Sequence, residues 1–106
     1  MISIYKSLSE SSSHLVKMDT IEPGCWINMI APNEQELILT SKKTGVPMDF
    51  LKAALDDEES SRIETSDDNI LFIVDIPFTE VEENTLTYDT YPLGIIHTND
   101  YIITVC

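Results

Sequence analysis

The 106-residue chain predicts an α+β fold: a mixed, largely antiparallel β-sheet with two consecutive helices packed on it, in the order ββ-β-αα-ββββ. Three observations carry that prediction. Short apolar runs of strand character recur at both ends of the chain. Between them lie two stretches bounded by helix-start and helix-stop residues, 31–45 and 47–55. From residue 61 onward the apolar runs are separated by turns of a few residues, which join antiparallel strands, because a parallel return needs a crossover of a dozen residues or more.

Ile2 and Ile4 alternate in a first strand, and Leu15, Val16 and Met18 mark a second, with the Ser-rich stretch from Ser7 to Ser13 as a turn-like linker. Glu22-Pro23-Gly24 breaks the chain before a largely buried strand, Cys25 to Ile30. Ala31-Pro32-Asn33-Glu34 starts a helix over about Asn33–Thr44, with Pro32 tolerated in the first turn. Glu34 and Glu36 suit the positive end of its dipole and Lys42 and Lys43 the negative end, while Gly45 supplies a left-handed cap. Leu37, Ile38 and Thr40 or Ser41 face the core. A shorter helix fits Pro47–Leu55, with Phe50, Leu51, Ala54 and Leu55 on one apolar face.

After that helix, Ser66 to Asn69 forms a turn, and Ile70–Ile76 is a nearly continuous apolar run, as in a central strand covered on both faces. Pro77 marks its end or an edge position, since proline cannot donate to a ladder. Glu80–Asn84 is a polar turn, Thr85–Thr98 one long strand or two interrupted at Pro92, and Tyr101–Val105 the last strand, after a turn at Asn99-Asp100. The whole reads as a single domain, residues 1–106.

Composition narrows the function. Nineteen Asp and Glu stand against six Lys and Arg, a formal net charge of −13. That balance opposes nucleic acid, whose affinity comes from cations that displace counterions, and it opposes an anionic membrane surface. No window approaches the ~20 consecutive apolar residues of a membrane-spanning helix, and Met1–Glu10 lacks the basic and apolar regions of a signal peptide. Cys25 and Cys106 lie far apart, with no CxxC, and read as reduced thiols of a soluble, intracellular protein. His14 and His97 accompany no nucleophile motif, and three glycines build no phosphate loop. No catalytic constellation is assembled, so the chain is not read as an enzyme.

Carboxylates are the abundant functional group. From Asp56 to Asp89 lie twelve of the nineteen acidic residues and one base, Arg62, a local net charge of −11. Such a run serves either as a solvated face that keeps the domain soluble or as a surface for a hard divalent cation such as Mg²⁺, which takes carboxylate oxygens while retaining waters. An EF-hand is excluded, because Asp56–Asp67 has no glycine at the sixth position and does not end on Glu.

The ordered set Cys25-Trp26-Ile27-Asn28, Ala31-Pro32 with Glu34 and Glu36, Gly45-Val46-Pro47, Leu51–Leu55 and Asp56-Asp57-Glu58-Glu59 resembles the opening of the cytosolic domain of CorA-type magnesium transporters. Ser61-Arg62-Ile63-Glu64, Ile70–Ile76, Pro92–Ile96 and Ile102–Val105 continue the resemblance in the same order. It implies a mixed sheet flanked by helices on the cytoplasmic side of the cell membrane, in a homopentameric Mg²⁺ channel. The family's stalk helix and its two transmembrane helices have no counterpart here, so the chain is expected to be a truncated, non-conducting portion. It ends on an apolar strand, as a truncation would. Where the family often carries an acidic residue that helps to bind a regulatory cation between subunits, this sequence has Ala53, preceded by Lys52. Asp56 and Asp57, about one helical turn away, are the candidate substitutes for metal contact. The competing reading is a stand-alone acidic interaction module that binds a basic partner.

Overall fold

The computed structural model describes residues 1–7, 14–56 and 60–106. Nine elements follow in the expected order: β1 (Ile2–Ser7), β2 (Leu15–Met18), β3 (Trp26–Met29), α1 (Glu34–Thr44), α2 (Met48–Ala53), β4 (Arg62–Ser66), β5 (Asn69–Glu82), β6 (Thr85–His97) and β7 (Ile102–Val105). The Ser-rich linker between β1 and β2 falls mostly outside the described residues.

The strands form one sheet in the order β2-β1-β3-β7-β6-β5-β4. Every pair is antiparallel except β3 with β7, where Ile27 lies beside Ile103 and Met29 beside Val105. That parallel pair joins the two halves of the chain across the αα segment and makes the sheet mixed. Gly24, at φ 90, turns the chain into β3 and donates its N–H to the Asp100 carbonyl at 2.6 Å.

Both helices obey their local signals. Asn33 caps α1 by accepting from the Glu36 N–H at 2.8 Å, while Glu36 Oε1 accepts from the Asn33 N–H at 3.0 Å. This reciprocal box satisfies two otherwise orphaned donors and places Pro32 just outside the helix rather than in its first turn. Gly45, at φ 78, closes α1 through its N–H to the Ser41 carbonyl at 2.9 Å. Helix α2 ends at Ala53, two residues earlier than expected, which leaves Leu55 exposed while Phe50, Leu51 and Ala54 are buried. Ile38 is also exposed, so α1 buries the narrower stripe Leu37 and Thr40.

A single core lies between the helices and one face of the sheet, built from Ile27, Met29, Leu71, Ile73, Ile96, Ile103 and Val105 below Leu37, Val46, Phe50 and Leu51. Gly94 lets α2 approach β6: a Cβ there would stand 3.0 Å from the Ala54 Cβ. The strand Ile70–Ile76 is covered on this one face. Leu71 and Ile73 are buried, whereas Ile70 and Phe72 are half-buried and Val74 is exposed. Its continuous apolar pattern thus overstates its coverage among the described residues.

The β5–β6 hairpin outgrows the rest of the sheet. β4 pairs with β5 only as far as Ile73, and β7 pairs with β6 only from Gly94. Beyond those points residues 74–82 and 85–93 pair only with each other among the described residues. Pro77 and Pro92 both sit in this two-stranded ribbon, where each strand has a side without a ladder, so neither ends its strand. The turn contracts to Glu83-Asn84, both at positive φ (49 and 65), the geometry that matches the twist of a tight hairpin.

Candidate functional site: an acidic surface

Nine of the twelve clustered acids lie in the described residues, and the fold disperses them. Asp56 follows α2 and is exposed; Asp57, with Glu58 and Glu59, lies outside the described residues. Glu64 on β4 accepts from Arg62 Nε at 3.2 Å, and Asp75 on β5 accepts from Ser61 Oγ at 3.1 Å. Asp67 and Asp68 form the β4–β5 turn and line, with Asp100, a shallow polar hollow of about 270 Å³. Glu80, Glu82, Glu83 and Asp89 ride on the ribbon. Among the described residues no three His, Cys, Asp or Glu side chains come together to hold a metal ion.

The helical side of this surface is well determined. Lys52 Nζ pairs with Glu34 Oε1 at 3.1 Å and ties α2 to α1. Ala53 is half-buried against the core, and Asp56 stands past the end of the helix. Among the described acids, Glu36 has a pKa held below the ordinary glutamate value. The Asn33 N–H that donates to it is the main cause, followed by the Met1 ammonium, which donates to its carboxylate at 3.2 Å.

Cys25 and Cys106 are free thiols. Cys25 and His97, 72 residues apart in sequence, border the same hollow of about 210 Å³, but Cys25 is only 2% exposed.

Two features escaped sequence reasoning. On the face of the sheet away from the helices, the strand positions from Ile63 on β4 to Tyr5 on β1 include no Asp, Glu, Lys or Arg over six of the seven strands, and Lys17 on β2, opposite Tyr5, is the first charge. There Tyr5 and Trp26 stack at 5.1 Å, Trp26 Nε1 donates to Thr104 Oγ1 at 2.9 Å, and Thr104 in turn donates to Asn28 Oδ1 at 2.8 Å. The second is the ribbon, with Val81 72%, Leu86 50% and Tyr88 77% exposed. Both depend on cross-strand register, which no local pattern encodes.

The described residues thus form an acidic, mixed-sheet domain with one helical layer. Comparison with known proteins refines this description. No family model matches the chain. The cobalt/magnesium transport protein CorA of Methanocaldococcus jannaschii is 32% identical over 80 residues, 76% of this chain and 24% of that protein. The solved soluble domain of CorA from the same organism superposes with a TM-score of 0.74 at 30% identity, over 99% of this chain and 40% of that one. The complete CorA magnesium transporter structure matches with a TM-score of 0.72 at 28% identity, over 99% of this chain and 32% of that one. The chain is homologous to the CorA transporters, and its fold matches part of the soluble domain solved for the Methanocaldococcus jannaschii protein. It spans about a quarter of the length of the curated relative it matches, and no described helix is long and apolar enough to cross a membrane.

Proposed function

We propose that this chain is a single-domain regulatory portion of a CorA-like Mg²⁺ or divalent-cation transporter, on the cytoplasmic side of the cell membrane, and does not itself conduct ions. The observation that carries this reading is the superposition on the soluble domain of CorA over 99% of the chain. The open face of the sheet, uncharged from β4 to β1, supports it. The matched soluble domain is longer than this chain, which covers 40% of it, and further polypeptide of such a domain would pack on that face. The homology supports an oligomeric assembly, for which we propose the pentamer that the family resemblance implies.

Regulation would be electrostatic. A pair of carboxylates ~7 Å apart in water repels by only about 0.6 kcal/mol, so the effect needs many acids brought together from several copies. Asp56, with Asp57 beside it in sequence, is proposed as one copy's share of a cation contact between subunits. Mg²⁺ is suited to this because it binds through one or two carboxylates and keeps its waters. Thermal melts in millimolar MgCl₂ and in NaCl of matched ionic strength test the reading. A larger midpoint rise in Mg²⁺, lost in Asp56→Ala/Asp57→Ala, is expected; equal rises in the two salts reject specific binding.

A further inference from the structure

A strand turns its backbone N–H and C=O groups alternately toward its two neighbours. On β6 the side facing β7 is fixed by Thr98, just past the strand, whose N–H donates to the Tyr101 carbonyl at 3.0 Å. The β5–β6 register runs without a break from Ile70 opposite His97 to Glu82 opposite Thr85. Every second residue back along β6 therefore faces the same way: Ile96, Gly94, Pro92, Thr90, Tyr88 and Leu86. β7 meets this row only as far as Gly94. Pro92 has no N–H to leave open, and the Thr90 N–H donates to the Asp89 carboxylate at 2.8 Å. Leu86 and Tyr88 are left with outward backbone groups that no ladder takes up among the described residues. Their side chains are 50% and 77% exposed.

Open strand edges are templates for another strand, and proteins usually guard them. The two edges of this ribbon differ in what they suit. On β5 the outward residues toward the tip are Pro77, Thr79 and Val81, since the even-numbered residues face β6. Pairing Thr79 with Val81 of a second copy would set Glu80 directly against its own counterpart, and like charges opposite each other destabilise a sheet. On β6 the same operation, Leu86 with Tyr88, sets Thr87 against Thr87 and Asp89 against Thr85. Neighbouring registers are worse. Leu86 against Leu86 brings Asp89 opposite Glu83, and Tyr88 against Tyr88 brings Leu86 opposite Thr90, whose N–H is already taken.

From this self-complementary edge we propose that two copies of the chain join β6 to β6, antiparallel, about a two-fold axis at Thr87. Each pairing of Leu86 with Tyr88 of the second copy exchanges two N–H···O bonds, four in all, as hydrogen-bonded antiparallel pairs do. On one face the same residues form two apolar–aromatic cross-strand contacts. Thr87 lies seven residues from Gly94, so the axis stands roughly 23 Å from the main sheet, and the two domains clear each other. A two-fold contact closes on two copies. It is thus separate from the ring proposed above, and its failure leaves that reading untouched.

Sedimentation equilibrium of the full chain at about 0.5 mM tests the contact, with circular dichroism confirming that each variant is folded. Wild type is expected to self-associate, more strongly in about 0.5 M than in about 0.05 M NaCl, because copies of net charge −13 repel and salt screens exposed charges. Association should slow hydrogen exchange at the Leu86 and Tyr88 amides and leave Thr79 and Val81 unchanged. Thr87→Glu and Thr87→Lys each place like charges on the axis and should weaken association about tenfold or more, whereas their 1:1 mixture should restore it. Tyr88→Pro, which removes an outward N–H, should also weaken it, and Val81→Pro on the other edge should not. A wild type that is monomeric in both salts, exchange that slows at Thr79 and Val81 instead, or wild-type mass retained by both Thr87 variants overturns the contact.

Discussion

The two faces of the sheet are built from neighbouring residues in the same strands and have opposite fates. Leu71 is fully buried under α1 and α2, while Phe72, the next residue, is half-buried on the open face. Ile103 is fully buried and Ile102 is 38% exposed. The open face carries apolar side chains such as Phe72, Ile95 and Trp26 beside the polar Asn28 and Thr104, yet among the described residues only the other face has a helical layer. The comparison teaches that apolar patterning in a strand records what a face is suited to meet. The presence of that partner is decided by the other elements available to pack.

Leu71 and Phe72 provide the strongest test. Leu71→Ala should cost about 2–5 kcal/mol in urea unfolding, because it removes buried methyl groups and leaves a cavity beneath the helices. Phe72→Ala should cost about 1 kcal/mol, since a half-exposed ring loses a fraction of the transfer energy of a buried one. Equal losses would mean that the open face is covered.

A smaller effect of opposite sign is expected in the helical layer. Thr40 is fully buried and its hydroxyl has no hydrogen-bond partner among the described residues. Thr40→Val keeps the shape and removes that group, so it should stabilise by about 1 kcal/mol. No comparable gain is expected from Thr104→Val on the open face, where the hydroxyl links Trp26 to Asn28.

The smallest effect belongs to Glu36, whose folded pKa is held below the ordinary glutamate value by the Asn33 N–H and then by the Met1 ammonium. Its contribution is fully present above the unfolded value and is lost as pH falls through the lowered folded one. Glu36→Gln should therefore be slightly less stable than wild type at neutral pH, with the difference closing in acid. Melting midpoints between pH 3 and 7 would show it.

Much of the fold was legible because its signals are local. Asn33, Glu36 and Gly45 mark the ends of α1 through bonds within four residues, and the turn at Asp67-Asp68 announces the β4–β5 hairpin. Pro77 was ambiguous, since a missing N–H marks a strand end or an open side equally well. The candidate site was less legible: the nine described acids of the run are separated by the fold, because strands and turns carry sequence neighbours in different directions. Asp56 is exposed, as a cation contact requires.

The sequence by itself determined the order of the nine elements, the caps of the first helix and the uneven charge, since periodicity, capping residues and composition act over a few residues at a time. Tertiary structure alone decided the parallel union of β3 with β7, the hydrogen bond that joins Trp26 to Thr104 across 78 residues, the choice of covered face and the length of the ribbon. The physical reason is that a strand's partner is selected by the closure of the whole sheet around one core, a condition no short segment contains.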